Sequence, residues 1–298
     1  MFMYVNGQLV DQSEAKISPF DHGYLYGVGV FETIRTYDGI PFLLEEHMER
    51  LNYSLKELQI ECSLQVEDVY AIIQQLCEHN QLQDTYLRIN ISAGIGEVGL
   101  QVPAYEKPTV IIFQKPLPPL QPLAEKEAVI LTIKRNTPET KQRLKSHHFL
   151  NNIAAKREIG ADLSKEGVFL TQDGKIAEGI TSNIFWIKDH QLFTPTIDTG
   201  ILNGITRQLI IRLANKLGLS VKEGLYNQEE LAQAEEIFFT NSIQEITPVN
   251  QLAKRQYPGK MGKKTVQLYE LYQQAINQYK NECKNLSIKS EKDNGLNK

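Results

Sequence analysis

The sequence predicts an α+β protein of two domains, and three observations carry that prediction. The chain of 298 residues is long enough for two hydrophobic cores. Its apolar residues recur at helical spacing in some segments and in short strand-length runs in others, sorted into blocks. Between the blocks lies Lys115-Pro116-Leu117-Pro118-Pro119-Leu120-Gln121-Pro122, whose four prolines can continue neither a helix nor a central strand. The expected organisation is therefore an N-terminal α+β domain over 1–115, a linker over 116–122, a second domain over 123–282 and a tail over 283–298.

In chain order, Met3-Tyr4-Val5 and Gln8-Leu9-Val10 flank Asn6-Gly7, a hairpin signal because both turn residues tolerate positive φ. A helix is expected from Glu45 to Leu58, where Leu44, Met48, Leu51, Leu55 and Leu58 form one stripe. A second runs from Val66 to His79. Strands follow over Tyr86–Ala93 and Val110–Phe113. Beyond the linker, short apolar runs dominate: VILTIK, GVFLT, KIA, NIFWIK and QLFT. Helices are expected after Lys145, from Ile205 to Leu217 with Gly218 closing it, and from Lys264 to Glu282. The tail from Cys283 is polar and aperiodic, so it is expected to fray.

Composition narrows the function. A net charge of −4 gives the whole molecule no electrostatic match to nucleic acid or an anionic membrane. Cys62, Cys77 and Cys283 are widely spaced, which argues against a disulfide framework and suits a reducing cytoplasm. The amino terminus has neither a basic run nor an apolar stretch of signal-peptide type, and no segment has the apolar length to span a bilayer. A cytoplasmic location is expected.

Single motifs speak weakly. Gly200-Ile201-Leu202-Asn203-Gly204-Ile205-Thr206 directly precedes a helix, where free N–H groups and the helix dipole suit a phosphate; plain helix capping is the alternative. Glu178 lies between two apolar runs and reads either as a solvated turn acid or as a partner for a ring nitrogen. Arg50 falls off the apolar stripe of its helix, so it is either exposed or an anion clamp. Lys145, in Leu144-Lys145-Ser146-His147-His148, is either a solvated cation or a nucleophile. The adjacent His147 and His148 would point to opposite faces of a strand, and no metal-ligand spacing accompanies them, so no metal is expected. Tyr26-Gly27-Val28-Gly29 lacks the rest of a dinucleotide-binding pattern.

The order of the motifs is more telling than any one of them. DHGYLYGVGVFETIR, an arginine on the first helix, LKS, AEGITSN, GITR and FFTNSIQEITPV together resemble the class IV pyridoxal-phosphate enzymes. This family comprises branched-chain aminotransferases, D-amino-acid aminotransferases and 4-amino-4-deoxychorismate lyases, and the likeness covers residues 3 to 275. SPFDHGYLYGVGVFET, RLKSHHFLNN, AKREIG and TPTIDTGILNG look most like the lyase branch of Bacillus type.

The resemblance implies the two-domain class IV fold, with a smaller N-terminal domain and a larger C-terminal domain built on a β-barrel-like core. It implies pyridoxal 5'-phosphate as cofactor and a homodimer. Lys145 would bond to the cofactor aldehyde and serve as general base. Glu178 would face the pyridine nitrogen. Arg50, Ile205, Thr206 and Ser242 would hold the phosphate. A lysine screened from water near a cationic site has a lowered pKa, which suits a nucleophile and base. Arg88 is expected to meet either a substrate carboxylate or a protein acid. Asn241 stands where the lyases tend to carry Asn, and Phe31 departs from the Tyr of D-amino-acid aminotransferases. The implied reaction is elimination of pyruvate from 4-amino-4-deoxychorismate to give 4-aminobenzoate for folate synthesis. Branched-chain or D-amino-acid transamination is the alternative within the family. A non-catalytic binder of phosphate ligands is the alternative outside it.

Overall fold

Asn6 and Gly7 take φ of 46° and 97°, so the expected turn forms and pairs β1 (Phe2–Val5) with β2 (Gln8–Asp11). The computed structural model describes residues 1–62, 64–100 and 103–295, with side chains to residue 285. It divides into two units, Met1–Pro118 with Leu271–Lys298, and Pro119–Glu270.

The first unit adds α1 (His22–Tyr26), β3 (Gly29–Tyr37), β4 (Ile40–Pro41), α2 (Leu44–Glu57), α3 (Val66–Asn80), β5 (Thr85–Ser92) and β6 (Thr109–Pro116). Its six strands run antiparallel in the order β2-β1-β6-β5-β3-β4. Leu44, Met48, Leu51 and Leu55 are buried on α2, which packs on β3, as the stripe predicts. Val30, Ile34, Leu87, Ile89, Ile91 and Ile112 are buried on the strands.

The second unit contains β7 (Lys126–Ile130), α4 (Leu150–Ile159), β8 (Lys165–Leu170), β9 (Ile176–Gly179), β10 (Asn183–Lys188), β11 (Gln191–Pro195), α5 (Ile205–Lys216), β12 (Ser220–Gly224), α6 (Glu229–Ala232), β13 (Glu236–Asn241), β14 (Glu245–Leu252), β15 (Arg255–Gln256) and the start of α7 (Lys263–Gly295). The sheet order is β12-β11-β10-β13-β14-β7-β8-β9, with β15 on β14. Three pairs, β7–β8, β7–β14 and β11–β12, are parallel. β9 ends this order yet packs beside β10 and β11, so the sheet curls towards closure around Val168, Ile184, Trp186, Ile237, Phe239 and Val249. The expected barrel-like core is this curled sheet.

Several boundaries differ from expectation: β6 runs on to Pro116, the first residue of the expected linker. β7 ends at Ile130, so only the start of VILTIK is strand. The terminal helix, expected with the second domain, belongs from Leu271 onward to the first unit. There Tyr272 packs edge-on against Phe42 at 5.7 Å, the Tyr279 hydroxyl donates to Glu45 at 2.5 Å, and Lys280 Nζ lies 2.5 Å from Asp38. The tail expected to fray is helical as far as Gly295; residues 296–298 lie outside the described residues. Among the described residues no helix is long and apolar enough to cross a membrane.

Candidate active site

Glu178 is not a solvated turn acid. It sits on β9, 4% exposed, and its oxygens face different donors. Oε1 accepts from Arg135 Nε at 2.8 Å; Oε2 accepts from the Leu202 N–H at 3.0 Å and from Asn183 Nδ2 at 3.5 Å. A carboxylate offers about four lone-pair sites, so capacity is left for one more donor. Arg135 is held in turn by Asn151 and Asn152 from α4, at 2.7 and 3.2 Å, and lies over the Phe169 ring.

The loop between β11 and α5 reaches this carboxylate through Leu202 and ends at Gly204, the N-cap of α5. No side chain caps this helix, whose first turn holds the buried Ile205 and Thr206. A Cβ on Gly204 would fall 2.2 Å from Asn183 Oδ1, and Asn183 is fixed by its donation to Leu202 O at 2.8 Å. Only glycine allows that approach. A buried carboxylate and an uncapped helix N-terminus thus share one neighbour, Asn183. That donor set fits a ligand with a protonated ring nitrogen at one end and an anion at the other.

Lys145 lies half-buried on the irregular segment before α4. The same segment carries Arg143, whose Nε donates to Gly200 O at 2.5 Å and lies 3.9 Å from Glu178 Oε1, and whose Nη2 donates to Asn136 O. Burial, and then repulsion from Arg135, pull the Arg143 pKa down to about 10, partly offset by Glu178. The lysine segment is thereby tied to both the Gly200 loop and the Glu178 carboxylate.

Asn241, at the end of β13, accepts from the N–H groups of Ile243 and Gln244 at 3.0 and 2.7 Å, which shapes the turn carrying Ser242. His148 is near Glu139 at 3.8 Å, and among the described residues no group of three or more His, Cys, Asp or Glu is placed to hold a metal ion.

Arg50, Phe31 and Arg88 belong to the first unit. Arg50 is not a surface residue: Nε and Nη2 each meet Glu32 at 2.7 Å, and His47 Nδ1 meets the same carboxylate at 2.6 Å. Burial raises the Glu32 pKa, but the charges and hydrogen bonds of Arg50 and His47 outweigh it and hold the carboxyl well below the usual range. Arg88 lies 3.6 Å from the centre of the buried Phe31 ring and donates from Nε to Asn90 at 3.2 Å; among the described residues no carboxylate pairs with it. Arg135, Arg143 and Asn183 were not singled out by sequence reasoning. Arg143 and Asn183 stand inside RLKSHHFLNN and AEGITSN, and Arg135 directly follows VILTIK, which is the one signal each carries.

Such an arrangement on such a fold defines a family. The chain belongs to the class IV aminotransferase family, whose model matches residues 29–252, and its fold is the expected class IV architecture. Within the family, the chain is 48% identical over 276 residues to the aminodeoxychorismate lyase of Bacillus subtilis (strain 168), covering 92% of this chain and 94% of that relative. Among solved structures, the 4-amino-4-deoxychorismate lyase from Pseudomonas aeruginosa superposes with a TM-score of 0.80 at 26% identity, covering 90% of this chain and 97% of that one. A branched-chain amino acid aminotransferase from T.th., complexed with N-(5'-phosphopyridoxyl)-L-glutamate, gives 0.82 at 27% identity, covering 92% and 93%.

Proposed function

We propose that this chain is a pyridoxal 5'-phosphate-dependent lyase that eliminates pyruvate from 4-amino-4-deoxychorismate, leaving 4-aminobenzoate. The single observation that carries the choice of lyase is the 48% identity to the Bacillus subtilis enzyme across 92% of the chain. The site geometry suits the cofactor. Glu178 would hold the ring nitrogen, the Ile205 and Thr206 N–H groups and the Thr206 hydroxyl would hold the phosphate, and Arg50 and Ser242 are proposed as further phosphate ligands. When bound, the cofactor supplies the electron sink for negative charge at the substrate carbon.

The chain's own groups then do the following. Lys145 would hold the cofactor through its Nζ until the substrate amine takes its place. Its freed Nζ removes the proton from the carbon bearing that amine and returns a proton to the departing enol, so one general base and acid serves both steps. Glu178, fixed by Arg135 and Leu202 N–H, keeps the proton on the ring nitrogen. Arg88, stacked on Phe31, is proposed to meet a substrate carboxylate, and Asn241 to shape the wall beside Ser242.

The protein is further proposed to act as a cytoplasmic homodimer. Phe20 and Tyr24 at α1, and Ile95, Val98 and Leu100 in the loop after β5, are exposed apolar side chains. Tyr26 Oη, His22 Nε2 and the Asp21–Ile95 bridge tie that loop to α1, so these residues share one patch, the kind that a partner surface covers. Incubating the holoprotein with 4-amino-4-deoxychorismate tests the function: pyruvate and 4-aminobenzoate should appear in equal amounts. Formation of neither rejects the reading.

A further inference from the structure

Thr240 on β13 is 2% exposed, and its Oγ1 finds no hydrogen-bond partner among the described residues. A buried hydroxyl in that state is unfavourable, because it has lost water and gained nothing. Paired strands flank β13 on both sides, β10 and β14, so solvent does not reach it from a sheet edge.

The sheet register says where this hydroxyl lies. Thr240 is directly opposite Asn183 in the antiparallel pairing of β13 with β10, so both side chains project from one face. Two residues along each strand, Phe185 and Phe238 stack at 5.3 Å on that same face. α5 packs against β13, while its side chains are absent from the core cluster on the opposite face. Asn183 is the residue that reaches Glu178 Oε2, Leu202 O and the space over Gly204 at the α5 N-terminus. One side chain therefore separates the orphaned hydroxyl from the uncapped helix end.

We propose that Thr240 is a further cofactor-binding residue, whose hydroxyl donates to a phosphate oxygen of pyridoxal 5'-phosphate, directly or through one water. The inference rests on the cofactor reading above. It explains why a hydroxyl is kept at a position where valine would fill the same space: the phosphate is the oxygen-rich end of the ligand and belongs at the helix N-terminus. Thr206 and Thr240 then serve the anion from two different elements, the helix and the sheet.

The test uses Thr240→Val and Thr240→Ser beside the natural chain, with cofactor-free and cofactor-loaded protein. The thermal midpoint of the cofactor-free valine variant should equal or exceed that of the natural chain, since the unpaired hydroxyl is gone. Its affinity for pyridoxal 5'-phosphate by equilibrium dialysis should fall roughly tenfold, the loss of about one hydrogen bond. Serine should restore the affinity. Pyridoxal, which lacks the phosphate, should bind the natural and valine chains equally. Unchanged affinity for pyridoxal 5'-phosphate in the valine variant overturns the inference. A lowered cofactor-free midpoint with proportionate loss of both ligands makes Thr240 structural and also overturns it. Failure of the natural chain to bind pyridoxal 5'-phosphate rejects the cofactor reading itself, a distinct outcome.

Discussion

Arg135 Nε donates to Glu178 Oε1 at 2.8 Å, and both side chains are buried. Removing Glu178 leaves the buried Arg135 without a carboxylate, and removing Arg135 leaves Glu178 only the more distant Arg143 at 3.9 Å; breaking comparable buried pairs costs roughly 3–5 kcal/mol. Arg135→Met should therefore lower the urea-unfolding free energy of the cofactor-free protein by about that amount. The double variant Arg135→Met, Glu178→Met should recover most of it. Glu178→Gln should still bind cofactor, because the amide can accept from Leu202 N–H, while turnover falls on the order of a hundredfold. Near-natural turnover would make Glu178 a structural acid only.

Lys145→Ala should abolish turnover and the visible absorbance of the lysine–cofactor bond while the circular dichroism stays unchanged. Lys145 precedes α4 on an irregular segment, and its side chain is only half-buried. Truncating it therefore removes little core. Mass spectrometry after borohydride reduction checks the assignment. A cofactor adduct that survives in the alanine variant places the bond on another lysine.

Much of this arrangement is legible in the sequence. The α2 stripe read correctly because Leu44, Met48, Leu51 and Leu55 recur at helical period and the helix has one buried face. Gly218 stops α5 because its φ of 75° suits glycine. The unit of the terminal helix is not legible, because its stripe, Tyr272 and Ile276 among others, says that a face is buried but not against what. β13 carries no strand signal of its own, since a strand buried on both faces shows no alternation. Arg135 lacks a sequence signal of its role for a different reason. Its partner lies 43 residues away, and no local pattern encodes that distance.

The Glu32 cluster predicts an acid-sensitive first unit. The carboxyl of Glu32 has an ordinary value of 4.5 and is held well below it in the folded chain by Arg50 and His47, against the opposing effect of burial. The unfolded chain therefore takes up this proton first as pH falls. The stabilisation is complete above about pH 4.5 and is lost progressively below it. Urea midpoints from pH 7 to pH 3.5 should decline with a slope that Glu32→Gln reduces, and that variant should already be weaker at pH 7 by roughly 3–5 kcal/mol. Equal slopes in both chains would remove Glu32 from the account.

The apolar patch formed by α1 and the loop after β5 predicts the assembly. Leu100 is 97% exposed and Val98 is 72% exposed, so neither supports the fold of its own subunit. Val98→Glu with Leu100→Glu should leave the unfolding free energy of the isolated chain little changed, within about 0.5 kcal/mol per substitution. Light scattering should nevertheless report a shift from dimer to monomer. A natural chain that is monomeric at working concentration contradicts the proposal directly.

The last prediction concerns which bond breaks. With Lys145 as the proposed base, elimination and transamination would both begin with removal of the proton from the carbon bearing the amine, so that step cannot separate them. They would part in where Lys145 returns the proton: to the departing enolpyruvyl group, or elsewhere. The bond aligned with the ring's π system is the one that yields, and alignment depends on how the substrate's carboxylates are held. Arg88, fixed over the buried Phe31 ring and free of protein carboxylates among the described residues, offers a rigid cation for that purpose. Expulsion of the enol also makes the ring aromatic, a driving force that an amino acid substrate lacks. Elimination from 4-amino-4-deoxychorismate should therefore exceed transamination of leucine or D-alanine by at least a hundredfold in kcat/KM, a barrier difference of about 2.7 kcal/mol. Arg88→Leu should raise KM for the chorismate-derived substrate far more than for leucine. Competing these substrates in one tube, with 2-oxoglutarate present, reads the ratio. If oxoglutarate-dependent conversion of leucine or D-alanine is faster, the chain is a transaminase on the same cofactor.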